Sequence, residues 1–235
     1  MIEAEWWDYD DMDELAEAVA GDVAFIIESA IDARGSAVIA LAGGKTPGSI
    51  LRKLAEAPLN WKKVTIIPTD ERIVALDNPL SNVAKLAKIF LPKGARVVPI
   101  LSDKADDYKL AGSAASSRIS DFHWPLDLVW LGMGEDGHTA SIFAGPDLDD
   151  ALNAPKEQKA VGVMPDPMPA DAPVARVTLT RASIQAAKVV VIVLTGDKKR
   201  ALLEAAIEAG DSSPSPIGRV LAGLETPVDI HWCAG

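Results

Sequence analysis

Residues 189–194 read Val-Val-Val-Ile-Val-Leu, a run that is apolar at every position instead of alternating with polar residues. A second such run lies at 37–42, and mostly apolar runs lie at 64–68, with Thr65, and at 126–131, with Asp127; helix-type patterns separate them. Strands that are apolar along their whole length are buried on both faces, and intervening helices connect such strands in parallel. The sequence therefore predicts an α/β fold with a doubly wound, mainly parallel sheet flanked by helices, which is a Rossmann-like arrangement.

The whole chain, residues 1–235, fits one domain, because single hydrophobic cores extend to about 250 residues. Residues 6–9 and 228–232 have the pattern of further strands, and 96–100 of a short one. The stretch 144–174 holds six of the 16 prolines and is predicted to form a lid or small lobe, or else a packed surface loop. Helices are predicted at 11–32, 47–54, 81–90, 105–119 and 198–209.

Composition narrows the class of partner. The net charge of −11 argues against nucleic acid and against anionic membranes as partners. No apolar run approaches the roughly 20 residues of a membrane helix, and the acidic N-terminus is unlike a secretory signal, so we expect a cytoplasmic protein. The single cysteine, Cys233, excludes an internal disulfide and a thiolate metal cage. We expect a monomer or a weak homo-oligomer.

A conspicuously polar loop follows each of four predicted strands, at 43–47, 69–72, 132–139 and 195–200. Ligands of open parallel sheets bind beyond the carboxyl ends of the strands. If these four strands run parallel, their loops meet at one edge of the sheet. We therefore expect the binding site there.

The loop Gly43-Gly44-Lys45-Thr46-Pro47 is typical of a phosphate site, since its glycines expose backbone N–H groups and a helix begins at Pro47. A turn without a ligand is the alternative. A nucleotide-triphosphate loop is disfavoured because Ile39 stands where that motif needs glycine.

Residues 132–137 match the dinucleotide-binding pattern GxGxxG. In such a site a helix begins directly after the pattern and a second strand ends about 20 residues later, and neither is indicated here, so we reject a dinucleotide site. The glycines instead bend the loop toward the cleft. There His138, with a reference pKa near 6.5, is suited to accept a proton from water. Either Glu135 or Asp136 orients its imidazole or caps the next turn. His123 and His231 lack such a context and are interpreted as structural, and no metal-binding motif is present.

Five basic residues, four of them on these loops, predict a locally positive electrostatic potential that would attract an anionic ligand. The run 198–200 also fits the solvated first turn of a helix. The cations are Lys45, Arg72, Arg176, Lys198 and Lys199.

Taken together, the motifs resemble the 6-phosphogluconolactonases over about residues 37–201. The stretch 132–141 is the specific part of the resemblance, whereas 43–47, 69–72 with Ser81-Asn82, and 176–180 with Lys199 are shared with related sugar-phosphate isomerases and deaminases. The resemblance implies a Rossmann-like sheet, hydrolysis of 6-phosphoglucono-1,5-lactone in the pentose phosphate pathway, His138 as the general base, and no cofactor. The family usually has Ser at position 45, Pro-Gly after Phe143, and a proline and a histidine within 73–78.

For this reaction we predict that Arg176, Lys199 and the 43–46 backbone (Gly43, Gly44, Lys45 and Thr46) hold the phosphate of the phosphosugar lactone. Arg72 stabilises the oxyanion or binds the phosphate, and Asp70 binds sugar hydroxyls. Two other functions stay open: a glucosamine-6-phosphate deaminase-like enzyme, disfavoured because the carboxylate expected after the histidine loop is missing, and a non-catalytic sugar-phosphate sensor, which would not need His138.

Overall fold

The computed structural model of the protein describes residues 2–44, 47–101 and 106–235. The strands are β1 (Ala4–Tyr9), β2 (Ala37–Leu41), β3 (Val64–Pro68), β4 (Asp70–Arg72), β5 (Arg96–Val97), β6 (Leu128–Leu131), β7 (Ala160–Val163), β8 (Arg176–Leu179), β9 (Val190–Thr195) and β10 (Val228–Cys233). The helices are α1 (Met12–Arg34), α2 (Pro47–Leu54), α3 (Asn82–Phe90), α4 (Tyr108–Ser120), α5 (Leu148–Leu152), α6 (Arg181–Gln185), α7 (Asp197–Ala209) and α8 (Pro216–Leu221).

The main sheet has seven strands in the order β1-β10-β9-β6-β2-β3-β5, and every neighbouring pair is parallel. The predicted α/β fold is confirmed. The four strands that end in polar loops, β9, β6, β2 and β3, lie side by side in this order. Their carboxyl ends therefore share one edge of the sheet, as the sequence predicted.

Both faces of the sheet are buried, which explains the uninterrupted apolar runs. In β2, Ile39 and Leu41 pack into the hydrophobic cluster on the α1 and α2 side, whereas Val38 and Ala40 pack into the cluster on the opposite face. All five residues of the strand are buried. Burial of each large aliphatic side chain contributes about 1.5–3 kcal/mol, so this two-sided core carries much of the stability of the fold.

A second sheet has three antiparallel strands in the order β4-β8-β7, and of these β4 corrects the sequence interpretation. Residues 70–72 were predicted as loop but form β4, because they pair with β8 directly after β3 ends. Within 144–174, residues 160–163 form the buried strand β7. This stretch thus contributes to a small sheet, and its movement as a lid stays a prediction.

Other element ends differ modestly from the sequence patterns. The strand predicted at 96–100 has only two residues, and the helix predicted from 105 begins at Tyr108, where Asp107 accepts hydrogen bonds from the first turn. Within the part of the chain that the structure describes, no helix combines the length and the apolar character needed to cross a bilayer.

His231 is buried in β10, remote in sequence from the histidine loop. Only 1% of its surface is exposed, and its Nδ1 forms a 2.9 Å hydrogen bond with the hydroxyl of Tyr9. Burial lowers the pKa of His231 from 6.5 to about 4. The Asp22 carboxylate, 3.9 Å away, is too exposed to compensate.

We predict a pH-dependent stability from this residue. Between pH 6.5 and about 4 the unfolded chain binds a proton at His231 that the folded chain does not, so the free energy of unfolding falls by up to about 3 kcal/mol as the pH drops. Urea unfolding of His231→Gln at several pH values should show a flatter dependence in this window. His123→Gln, at an exposed position, is the control and should retain the wild-type slope; equal slopes for wild type and His231→Gln would contradict the prediction.

Candidate active site

The loop after β6, residues 132–143, presents His138 at the carboxyl edge of the sheet. The loop closes on itself, because the Gly134 N–H donates to the His138 carbonyl at 2.9 Å and the Thr139 hydroxyl donates to the Gly132 carbonyl at 2.8 Å. Ala140 adopts a left-handed conformation with φ of 49°. The imidazole is 29% exposed, so it faces solvent and does not point into the core.

Asp136 orients the imidazole, which settles the choice that the sequence left between Asp136 and Glu135. The Nδ1 atom of His138 lies 2.5 Å from Asp136 Oδ1, whereas Glu135 is exposed. The hydrogen bond from the imidazole lowers the pKa of Asp136, which stays an ionised acceptor. The ring proton therefore sits on Nδ1, and the lone pair of Nε2 is left free to accept a proton.

Phe143 links the histidine to a buried arginine. Its ring stacks on the His138 imidazole with centroids 4.2 Å apart. The guanidinium of Arg176, which lies on β8, is 5.5 Å from the centre of the Phe143 ring. Arg176 is only 3% exposed and donates to the carbonyls of Ala172 and Val174. Burial lowers the pKa of Arg176, with Asp70 as the main opposing influence.

The N-terminus of α3 is fixed by a carboxylate that the sequence analysis left without a role. Glu71 is 1% exposed and accepts hydrogen bonds from the backbone N–H groups of Asn82 at 2.7 Å and Val83 at 2.8 Å, and from the Ser81 hydroxyl at 3.1 Å. Its burial raises the pKa of Glu71, and these donors oppose the rise. Capping at this point satisfies donors that the helix itself leaves unpaired.

Asn82 then connects three of the predicted site residues. Its amide nitrogen donates to the Asp70 carbonyl at 2.8 Å, and its amide oxygen accepts from Arg72 Nη1 at 2.6 Å. A Cβ at Gly43 would overlap the Asn82 side chain, so only glycine allows this approach of the loop after β2. The family motif contained Ser81-Asn82, but only the tertiary structure gives Asn82 this bridging position.

Asp70 joins the small sheet to the histidine loop. It is 6% exposed, and its Oδ2 accepts from the Ser141 hydroxyl at 2.6 Å. The Ser141 N–H in turn donates to Thr178 Oγ1, and Thr178 pairs with Asp70 across the two strands. Ser141 lies three residues after His138, so its two hydrogen bonds fix the position of the histidine loop relative to the small sheet.

Arg72 and Arg176 are direct cross-strand partners in β4 and β8. Side chains in such a pair project from the same face, and two like charges there repel each other unless an anion lies between them. The Nε atom of Arg72 is buried and has no hydrogen-bond partner among the described residues. The pair therefore offers donors and positive charge for an anionic group.

The loop after β2 is described at Gly43 and Gly44, whereas Lys45 and Thr46 lie outside the described residues. Lys199, in the first turn of α7, donates from Nζ to the Met133 carbonyl at 2.8 Å, which places it against the histidine loop. Lys198 is exposed instead. Contacts thus connect Gly43, Asp70, Arg72, Arg176 and His138 in one network, and Lys199 adjoins it.

The family model described as "Glucosamine-6-phosphate isomerases/6-phosphogluconolactonase" matches residues 10–232. The chain belongs to this family. A 6-phosphogluconolactonase of Rhizobium meliloti (strain 1021) is 40% identical over 93% of this chain and 94% of its own length. The corresponding protein of Pseudomonas putida is 35% identical over 93% of this chain and 88% of its own length.

Among solved structures, the crystal structure of a 6-phosphogluconolactonase from Shewanella baltica OS155 superposes with a TM-score of 0.88 at 31% identity. The match covers 99% of this chain and 98% of that one, so the family likeness extends to both sheets. Within the described ranges, no group of three or more His, Cys, Asp or Glu side chains is arranged to hold a metal ion.

Gly137 fixes the turn that carries His138, and we predict that Gly137→Ala damages this loop. Its φ is +77°, and an added Cβ would lie 2.6 Å from the Ser215 Cβ. Strain and overlap together should cost about 1–3 kcal/mol and reduce activity through a displaced His138. Thermal unfolding and lactone turnover are the measurements.

Gly132→Ala is the matched control in the same loop, because its Cβ would meet nothing within 4 Å. An alanine at 137 that is as stable and active as the alanine at 132 would contradict the role given to Gly137.

Proposed function

We propose that this chain hydrolyses 6-phosphoglucono-1,5-lactone to 6-phosphogluconate, a reaction of the pentose phosphate pathway, with His138 as the general base. Family membership and the 6-phosphogluconolactonases among its relatives support the activity. The observation that carries the mechanism is the 2.5 Å contact between Asp136 and the His138 Nδ1, which leaves Nε2 as the proton acceptor. Phe143 connects this imidazole to Arg176.

The chemistry needs little more than placement, since a δ-lactone is an activated ester. The Nε2 atom of His138 takes a proton from water as the water oxygen attacks the lactone carbonyl. The tetrahedral oxyanion collapses and breaks the bond to the ring oxygen, which receives the proton back from Nε2. The Asp136 carboxylate stabilises the imidazolium between these two steps.

Besides activating water, the enzyme must hold the substrate by its phosphate, and the basic residues of the site meet this requirement. Arg72 and Arg176 face the same side of the small sheet, and Lys199 adjoins the histidine loop. We assign the phosphate to Arg176, Lys199 and the 43–46 backbone, with Arg72 contacting the phosphate or the oxyanion. Asp70 is almost buried against Ser141, so we assign it first to positioning the loop and then to a sugar hydroxyl.

The assay for the activity is acid release from freshly prepared 6-phosphogluconolactone, with the spontaneous hydrolysis of the lactone subtracted. Ammonia release from glucosamine-6-phosphate would favour the deaminase-like alternative. Tight phosphosugar binding without turnover of either compound would favour the sensor. Location in the cytoplasm and a monomeric or weakly oligomeric state remain proposals from the sequence.

We predict that His138→Ala lowers kcat by about 10²–10⁴-fold, the usual contribution of a general base. Asp136→Asn should lower kcat nearly as much, because a neutral amide neither fixes the proton on Nδ1 nor stabilises the imidazolium. Glu135→Gln, a neighbouring exposed carboxylate, is the control and should retain wild-type kcat. A His138→Ala enzyme within twofold of wild type would remove His138 from the mechanism.

We further predict that Lys199→Ala raises KM for the lactone several-fold, about 3- to 30-fold for the loss of one charge-assisted contact, with kcat little changed. Lys198→Ala removes an equal charge from the adjacent, exposed position and should leave KM unchanged. Equal KM values for the two variants would show that Lys199 makes no separate contact with the phosphate.

A further inference from the structure

A groove runs between α2 and α3. Its volume is about 590 Å³, and it opens beside Gly43 and Gly44. This volume lies within the range of about 300–1,000 Å³ that is typical of small-molecule sites. Neither His138 nor the arginines of the small sheet line this groove.

The floor of the groove is apolar. Leu51 and Ala55 from the α2 side are each 3% exposed, and Leu86 from α3 is fully buried. The apolar surface that the groove exposes therefore comes mainly from Ile89 and Pro92 on the α3 side. Such a floor favours a ligand with a flat apolar part that gains free energy by leaving water.

The rim of the groove is strongly basic. Four cations line it with a single carboxylate, Glu56, although acidic residues outnumber basic ones by 34 to 23 in the whole chain. Within residues 2–44, 47–101 and 106–235, none of the four makes a salt bridge with a carboxylate. The cations are Arg52, Lys85, Lys88 and Lys93.

Lys85 shows that this positive charge is not fully relieved. Partial burial lowers the pKa of Lys85 and the positive charge of Arg72 lowers it further, while the carboxylates of Glu71, Asp70 and Asp171 oppose the shift without cancelling it. Cations that converge on a groove without forming salt bridges concentrate a positive potential there, which attracts anions. A ligand with more than one negative charge would interact with several of them at once.

We propose that the α2–α3 groove binds a nucleoside diphosphate or a related nucleotide, with the base on the apolar floor and the phosphates among Arg52, Lys85, Lys88 and Lys93. The site is separate from the reaction centre but shares its border at Gly43 and Gly44. An occupied groove would place negative charge next to the phosphate loop. Bound nucleotide should therefore raise KM for the phosphosugar lactone and leave kcat unchanged.

The test is isothermal titration of the full chain with ADP, alongside adenosine and pyrophosphate. We expect saturable ADP binding that weakens with added salt, and weaker binding of adenosine and of pyrophosphate, since each lacks half of the recognised chemistry. Arg52→Ala and Lys88→Ala should each weaken ADP about 3- to 10-fold. Lys63→Ala, an exposed position outside the groove, is the control.

The outcomes separate this proposal from the proposed function. Arg52→Ala and Lys88→Ala should retain full lactonase activity in the absence of ADP. No ADP binding at millimolar concentration, or ADP binding that these two variants leave unchanged, would overturn the groove site. Pyrophosphate or adenosine binding as tightly as ADP would overturn the nucleotide assignment. ADP binding that Lys199→Ala abolishes would place ADP in the active site instead.

Discussion

The buried carboxylate of Glu71, which caps α3, is the interaction on which the geometry of the site depends. It accepts two backbone N–H groups and a hydroxyl at the start of that helix. Because these bonds fix Asn82, they also fix the approach of Gly43 and the side chain of Arg72. A buried acid is costly unless its oxygens are satisfied, and here each of its oxygens has a donor.

The small antiparallel sheet brings several of the candidate site residues together. Its strand β4 continues directly from β3, so it leaves the parallel sheet at the carboxyl edge and carries Asp70 and Arg72 with it. The pairing with β8 adds Arg176, and contacts through Ser141 and Phe143 reach the histidine loop. Residues from the small sheet therefore join the candidate site at the carboxyl edge of the main sheet.

Basic residues cluster at two places in this acidic chain. The net charge is −11, yet cations gather both at the small sheet and along the α2–α3 groove. Neighbouring like charges such as Arg72 and Arg176 lower stability in the absence of a counterion. Such destabilising arrangements are common at functional sites, which is consistent with the phosphate-binding role proposed for the two arginines.

The sequence by itself determined the parallel sheet, the shared edge of its polar loops and His138 as the candidate base, because two-sided burial and glycine-rich loops leave local patterns. It missed β4 in 69–72 and could not choose between Glu135 and Asp136. Those answers needed tertiary structure. Strand pairing with β8, the cap that Glu71 makes and the contact of Asp136 with the imidazole all depend on chain segments or side-chain directions that no local pattern encodes.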